Sequence, residues 1–260
     1  MKALSLLMIA AVGFAVADFG NDPPVPGRRP VFYTGGAKSG VEIEIVYDLM
    51  CSDSAAAHPE VLQFLDMPFL NSNVKDQIQL SYTFLPLPYH HEVWVPHLLV
   101  PSILDTCHTT PQSCIFEQYM QFWFENINVI IGEKDSSEKQ IIQNWTKLVS
   151  EEFSIDQAKL LGYYSRGADT SNSEMRTRYM YKYNAHHHVS GTPFAFVNGI
   201  LLSTFPETAD DWMNMLSSVY EQTDGGFAYA WSYSYSLILK KLLPFALNLS
   251  MTFNSLLRWL

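Results

Sequence analysis

Strands marked by alternating or short apolar runs lie on either side of a long stretch of helical spacing. Between residues 41 and 48, Val41, Ile43 and Ile45 alternate with Glu42 and Glu44, the period of a β-strand. Leu49 and Met50 form a short turn that delivers Cys51-Ser52-Asp53-Ser54 to a helix. The alanines at 55–57 favour that helix, and Pro59 predicts a kink within it. Residues 76–87 alternate again through Ile78, Leu80, Tyr82 and Phe84, predicting a second strand that ends in a Pro-containing turn before His90 and His91.

From residue 92 to about 185 the pattern is helical, with helices expected near 93–106, 112–127, 135–149, 154–164 and 170–185. Phe116, Tyr119, Met120 and Trp123 form an apolar stripe at helical spacing, the mark of core packing. Ser136-Ser137-Glu138-Lys139 reads as a helix start, and Ser154 to Gln157 reads as a capping box for the next helix. Three elements follow: an apolar strand at 194–197, the hairpin dipeptide Asn198-Gly199, and a returning strand at 200–202. A closing helix spans 208–220, with Thr208 as N-cap and Asp210 and Asp211 in its first turn.

The two ends of the chain have a different character. Residues 1–17 carry Lys2, a short apolar core and Ala15-Val16-Ala17, the signature of a cleaved secretory signal peptide. The apolar run is shorter than the ~20 residues of a membrane span. Residues 18–40 hold Pro, Gly and Arg without periodicity and read as an extended lead-in. Residues 223–260 form an apolar tail interrupted by Lys240, Lys241, Pro244, Asn248 and Asn254, a poor membrane span. An amphipathic surface helix in contact with membrane, a removed lipid-anchor signal and an unstructured tail are the competing readings. The length of 260 residues allows one large domain or one domain with an insertion, and the net charge of −10 argues against nucleic acid as a partner.

A secretory context changes how the three cysteines are counted. An odd number suggests one pair and one free thiol. Cys107 and Cys114 are the natural pair, because Pro111 breaks the helix between them and lets the chain fold back, with Thr110 as an N-cap. Two separate buried thiols are the main alternative; a metal site including His108 has too few ligands in sequence. His186-His187-His188 also suggests a metal site, but consecutive residues point in different directions and no carboxylate cluster adjoins them. Asn144-Trp145-Thr146 is a glycosylation acceptor for a secreted chain, with Asn248 as a second formal acceptor.

Cys51 then stands alone at a helix N-terminus, where unpaired N–H groups and the helix dipole favour the thiolate. Far downstream lies Gly191-Thr192-Pro193-Phe194-Ala195-Phe196-Val197-Asn198-Gly199. A strand leading into Cys-x-x-Ser, with this Thr-Pro strand more than a hundred residues later, resembles the DsbA-like branch of the thioredoxin superfamily. The likeness is greatest to eukaryotic members with a Cys-x-Asp-Ser motif. It covers 41–222 and implies an α/β thioredoxin-like fold, with a central mixed sheet and a helical subdomain inserted at about 92–185.

The resemblance also implies roles. Cys51 would be the nucleophile, and Ser54, one helical turn on, would hydrogen-bond its sulfur. Pro193 would be cis, and with Thr192 would form the wall against which an extended client lies. In the family a His opens the helical insertion, so His90 or His91 approaches the active-site face, although such a histidine more often packs or caps a helix. Ser54 stands where a resolving cysteine normally sits, so a dithiol cycle is excluded at this site. Met50 replaces the Trp of many thioredoxins, and Asp53 opposes a thiolate by like charge.

What remains is monothiol exchange or isomerisation on protein or glutathione disulfides in the secretory pathway, with no cofactor and no metal. The alternative is a redox-inactive, chaperone-like module that holds extended polypeptides in the same groove.

Overall fold

The computed structural model describes residues 30–34, 40–133, 135–165 and 168–222. The expected signal peptide, most of the lead-in, Asn248 and the C-terminal tail lie outside these residues. The first part of the fold comprises β1 (Phe32–Thr34), β2 (Glu42–Tyr47), α1 (Ser52–Asp66), β3 (Pro68–Phe69), β4 (Ser72–Asn73), α2 (Val74–Gln77) and β5 (Gln79–Phe84). A helical segment follows: α3 (Trp94–His97), α4 (Val100–Thr109), α5 (Phe116–Ile131), α6 (Glu138–Phe153), α7 (Gln157–Gly162) and α8 (Ser173–His186). The chain then returns through β6 (Phe194–Val197), β7 (Ile200–Leu201) and α9 (Ala209–Glu221).

Five strands make one mixed sheet in the order β1-β5-β2-β6-β7, and β3 pairs only with β4. β2 lies at the centre. It runs parallel to β5, from Glu42 opposite Gln79 to Tyr47 opposite Phe84, and antiparallel to β6, with Val46 opposite Phe194. Ile43, Ile45 and Tyr47 enter the main core with Val61 and Phe64 of α1 and Trp212 of α9. On the other face Val46 packs with Leu85, Leu87, Val189 and Phe196. Both faces are therefore covered. Glu44, on the second face, is buried and accepts a hydrogen bond from the Tyr183 hydroxyl of α8 at 3.2 Å.

The local signals explain several boundaries. Asn198 and Gly199 both take positive φ, 49° and 79°, which is the turn that joins two twisted strands closely. The Asn198 side chain also accepts the Glu42 N–H at 2.8 Å and so fastens the hairpin to β2. Thr208 and Asp211 form a reciprocal capping box at α9, and Ser137 with Gln140 forms another at α6. Phe116, Tyr119, Met120 and Trp123 are all buried on α5.

Other boundaries differ from the sequence pattern. The strand expected over 76–87 is shorter, because Val74–Gln77 closes a helical turn with the Ile78 N–H donating to Val74 O. The helix expected over 93–106 is two, α3 and α4, with Pro96 and Pro101 withholding backbone donors on either side of the join. α5 begins at Phe116 rather than near 112, since Pro111–Ser113 is a 3-10 turn. Ser154 does not cap α7. It ends α6 with φ 54°, and Asp156 is the N-cap, accepting the Ala158 N–H at 2.9 Å. α1 continues through Pro59 without a break. β1 has no counterpart in the pattern and exists through its pairing with β5.

His58 of α1 is buried edge-on to Tyr47 and against Phe124, and neither ring nitrogen has a hydrogen-bond partner among the described residues. Burial lowers its pKa from 6.5 to about 4. The unfolded chain therefore takes up this proton first as pH falls. Stability contributed by neutral His58 is complete above pH 6.5 and is lost as pH falls towards about 4, a change on the order of 3 kcal/mol. His58→Leu is expected to flatten this part of the pH dependence of the unfolding free energy in urea titrations. A slope equal to that of the parent protein would assign the acid sensitivity to other groups.

Candidate functional site

The site forms where β2 ends. Cys51 occupies the N-cap position of α1 with extended backbone, φ −88° and ψ 121°. Its N–H donates to Asp48 O at 3.1 Å and its carbonyl accepts the Ala55 N–H at 3.0 Å. The turn so closed is dictated by the apolar pair Leu49-Met50, both buried. Burying a turn requires partners for its backbone groups, and side chains supply them. The Met50 N–H donates to Asp48 Oδ1 at 2.8 Å, the Leu49 N–H donates to His97 Nε2 at 3.2 Å, and the Trp123 indole N–H donates to Leu49 O.

Asp48 is fully buried. Besides Met50, its carboxylate accepts the Leu87 N–H at 3.0 Å and meets His90 Nδ1 at 2.6 Å, both at Oδ2. His97 Nδ1 lies 2.6 Å from Val93 O, so that nitrogen donates and Nε2 is the acceptor of the Leu49 N–H. This fixes one neutral tautomer. Burial depresses the His97 pKa, outweighing the opposing pull of Asp48 at 3.7 Å.

The antiparallel pairing of β2 and β6, with Val46 opposite Phe194, brings Thr192 and Pro193 to the end of β2 that leads into Cys51. The Thr192–Pro193 peptide is cis. The Cys51 Sγ donates to Thr192 O at 3.3 Å across 141 residues of chain. Ser54 is buried, and its hydroxyl accepts the Asp48 N–H at 3.5 Å. Met50 turns into the core, and Asp53 is exposed in the first turn of α1. Thus Cys51, Ser54, Thr192 and Pro193 converge at one end of the sheet.

The remaining candidate residues lie in the helical segment. Cys107 and Cys114 are joined by a disulfide between the end of α4 and the start of α5, with Cα atoms 4.2 Å apart. Asn144 is exposed on α6, and its Nδ2 donates to Glu133 Oε1 at 2.8 Å. His186, His187 and His188 are exposed at the end of α8. Sequence reasoning missed Asp48, His97 and Trp123. Asp48, the one polar residue between the strand and an apolar turn, was the only local signal.

Several solved structures are similar to this chain in fold. BdbD from Bacillus subtilis, in its oxidised form, matches with a TM-score of 0.51 and 13% identity over 74% of this chain and 93% of its own. The thiol-disulfide oxidoreductase MdbA from Actinomyces oris matches with a TM-score of 0.51 and 13% identity over 73% and 86%. The chain has a DsbA-like thioredoxin fold. A thioredoxin-like oxidoreductase from Silicibacter pomeroyi matches with a TM-score of 0.50 and 12% identity over 75% and 95%. No protein-family model and no curated protein matches the sequence. At these identities the likeness is one of fold, and the chemistry of this chain lies in its own site.

The Asp48 carboxylate is the common acceptor of three donors at that site, and removing it strands two buried backbone N–H groups. Asp48→Ala is expected to destabilise the protein by about 3 kcal/mol in chemical denaturation. A loss below about 1 kcal/mol would show that water replaces the carboxylate at low cost.

Proposed function

We propose that this chain is a monothiol thiol–disulfide exchange protein of the secretory pathway, acting on protein or glutathione disulfides through Cys51. The observation that carries this reading is the placement of Cys51 Sγ at the α1 N-terminus, 3.3 Å from Thr192 O. The helix terminus favours the thiolate. Once the thiol proton leaves, Thr192 O no longer has a donor and becomes free to pair with an extended client backbone. The thiolate attacks one sulfur of a client disulfide, an S–S bond forms to Cys51, and the other client sulfur departs as thiolate. A second client thiolate, or glutathione, then attacks the client sulfur bonded to Cys51, and Cys51 Sγ departs as thiolate. No net electrons are transferred when the client resolves its own mixed disulfide, so the outcome is isomerisation.

Ser54 decides between this route and a dithiol cycle. It stands one turn beyond Cys51 and cannot supply a second sulfur. Secretion, through the expected signal peptide, and glycosylation at the exposed Asn144 belong to the same reading.

One observation favours the second reading, a binding module for extended chains. Cys51 is only 6% exposed and its sulfur already has an internal partner. Treatment with glutathione disulfide followed by intact-mass analysis separates the two. Monothiol exchange predicts a stable adduct on Cys51 that is absent in Cys51→Ser. In Ser54→Cys the new thiol is expected to displace glutathione and leave an internal disulfide, so the adduct ceases to accumulate. An inert Cys51, together with a Cys51→Ser variant that still retains unfolded polypeptide, would establish the binding module instead.

A further inference from the structure

His90 has no role in the exchange chemistry as written, yet it reaches the support of the nucleophile. Its Nδ1 lies 2.6 Å from Asp48 Oδ2, with the Asp48 side chain fully buried and the His90 side chain 23% exposed. Asp48 in turn sits inside the turn that Cys51 closes, bonded to it through main chain and side chain. The imidazole is thus a bridge between solvent and a carboxylate held in the turn that carries the thiol.

We propose that His90 is a positioning residue that sets the charge of the turn that carries Cys51. Resting on the thiol reactivity proposed above, it makes that reactivity respond to pH through the Asp48–His90 pair. With the imidazole protonated, the pair is neutral. With it neutral, Nδ1 still donates to Asp48, but the pair carries one negative charge. A negative charge in the turn that carries the sulfur disfavours the thiolate. Protonation of His90 therefore offsets part of the loss of thiolate that acid otherwise causes, and flattens the pH dependence of Cys51 reactivity.

The other titratable groups around His90 do not duplicate this role. His97, on α3, faces the other Asp48 oxygen at 3.7 Å, but its two nitrogens are committed to Leu49 N–H and Val93 O in a neutral tautomer. Tyr89 packs edge-on against the His90 ring at 4.8 Å. His91 and Glu92 form their own contact at 3.9 Å in the same turn. His90 is thus the group in contact with Asp48 that solvent protons reach directly.

Two substitutions separate charge from structure. His90→Asn keeps a donor near the Nδ1 position but cannot become cationic, whereas His90→Lys supplies a permanent cation. Thiolate absorbance and the rate of Cys51 alkylation are measured across pH in the full protein, with unfolding midpoints as a control of folding. In His90→Asn the rate is expected to fall below the parent's by up to about tenfold on the acid side and to converge with it as pH rises. In His90→Lys it is expected to match or exceed the parent's throughout. His90→Arg takes the place of His90→Lys if that variant fails to fold.

Superimposable profiles in all variants would overturn the proposal, as would a change in the same direction in both, the mark of a purely structural role. Thiolate titration does not depend on turnover. Failure to exchange with glutathione disulfide would defeat the proposed function while leaving this result readable.

Discussion

The Asp48 carboxylate is the constraint on which the rest of the site depends. A buried carboxylate is tolerated when several donors satisfy it. Asp48 has the Met50 N–H, the Leu87 N–H and His90. These three belong to the cysteine turn and to the segment that follows β5. One side chain thus joins the ends of the two parallel strands at the centre of the sheet. His97 and Trp123 complete the arrangement from α3 and α5 by satisfying both backbone groups of Leu49. The apolar Leu49 and Met50 can be buried only because these polar groups meet.

The central strands were legible because their information is local. β2 alternates, β6 and β7 are joined by Asn198-Gly199, and α9 opens with a Thr that finds its Asp three residues on. The aromatic stripe of α5 was legible for the same reason. β1 was not, since three residues without alternation become a strand only when β5 is beside them. Nor was the division between α3 and α4, where prolines interrupt a continuous apolar pattern. The start of α7 was misplaced because Ser154 and Asp156 both offer capping oxygens, and the backbone at Ser154 turned left-handed instead.

At the site, the same boundary applies. Cys51, Ser54, Thr192 and Pro193 form two short motifs that are visible in the sequence. Their support converges from β2, the segment after β5, α3 and α5, and no window of sequence contains it. The monothiol chemistry proposed for Cys51 rests on a single side-chain difference at Ser54, whereas the fold would accommodate either chemistry. The thiol itself sits between two states. Bonded to Thr192 O it is sheltered, and in the proposed exchange its ionisation frees that carbonyl for a client. On that proposal the same contact guards the sulfur and marks where recognition begins.

The chain's two kinds of sulfur differ in how far apart their partners lie. Cys107 and Cys114 are separated by seven residues, while Cys51 meets Thr192 across 141. The entropy of closing a loop rises with its length, and distant contacts form late. Cys107 and Cys114 can find one another within a few helical turns of emerging chain. The wall that shelters Cys51 requires β6 to pair with β2 across the whole length of the helical segment. Chain entropy thus favours joining the near pair, and Cys51 is the sulfur left free.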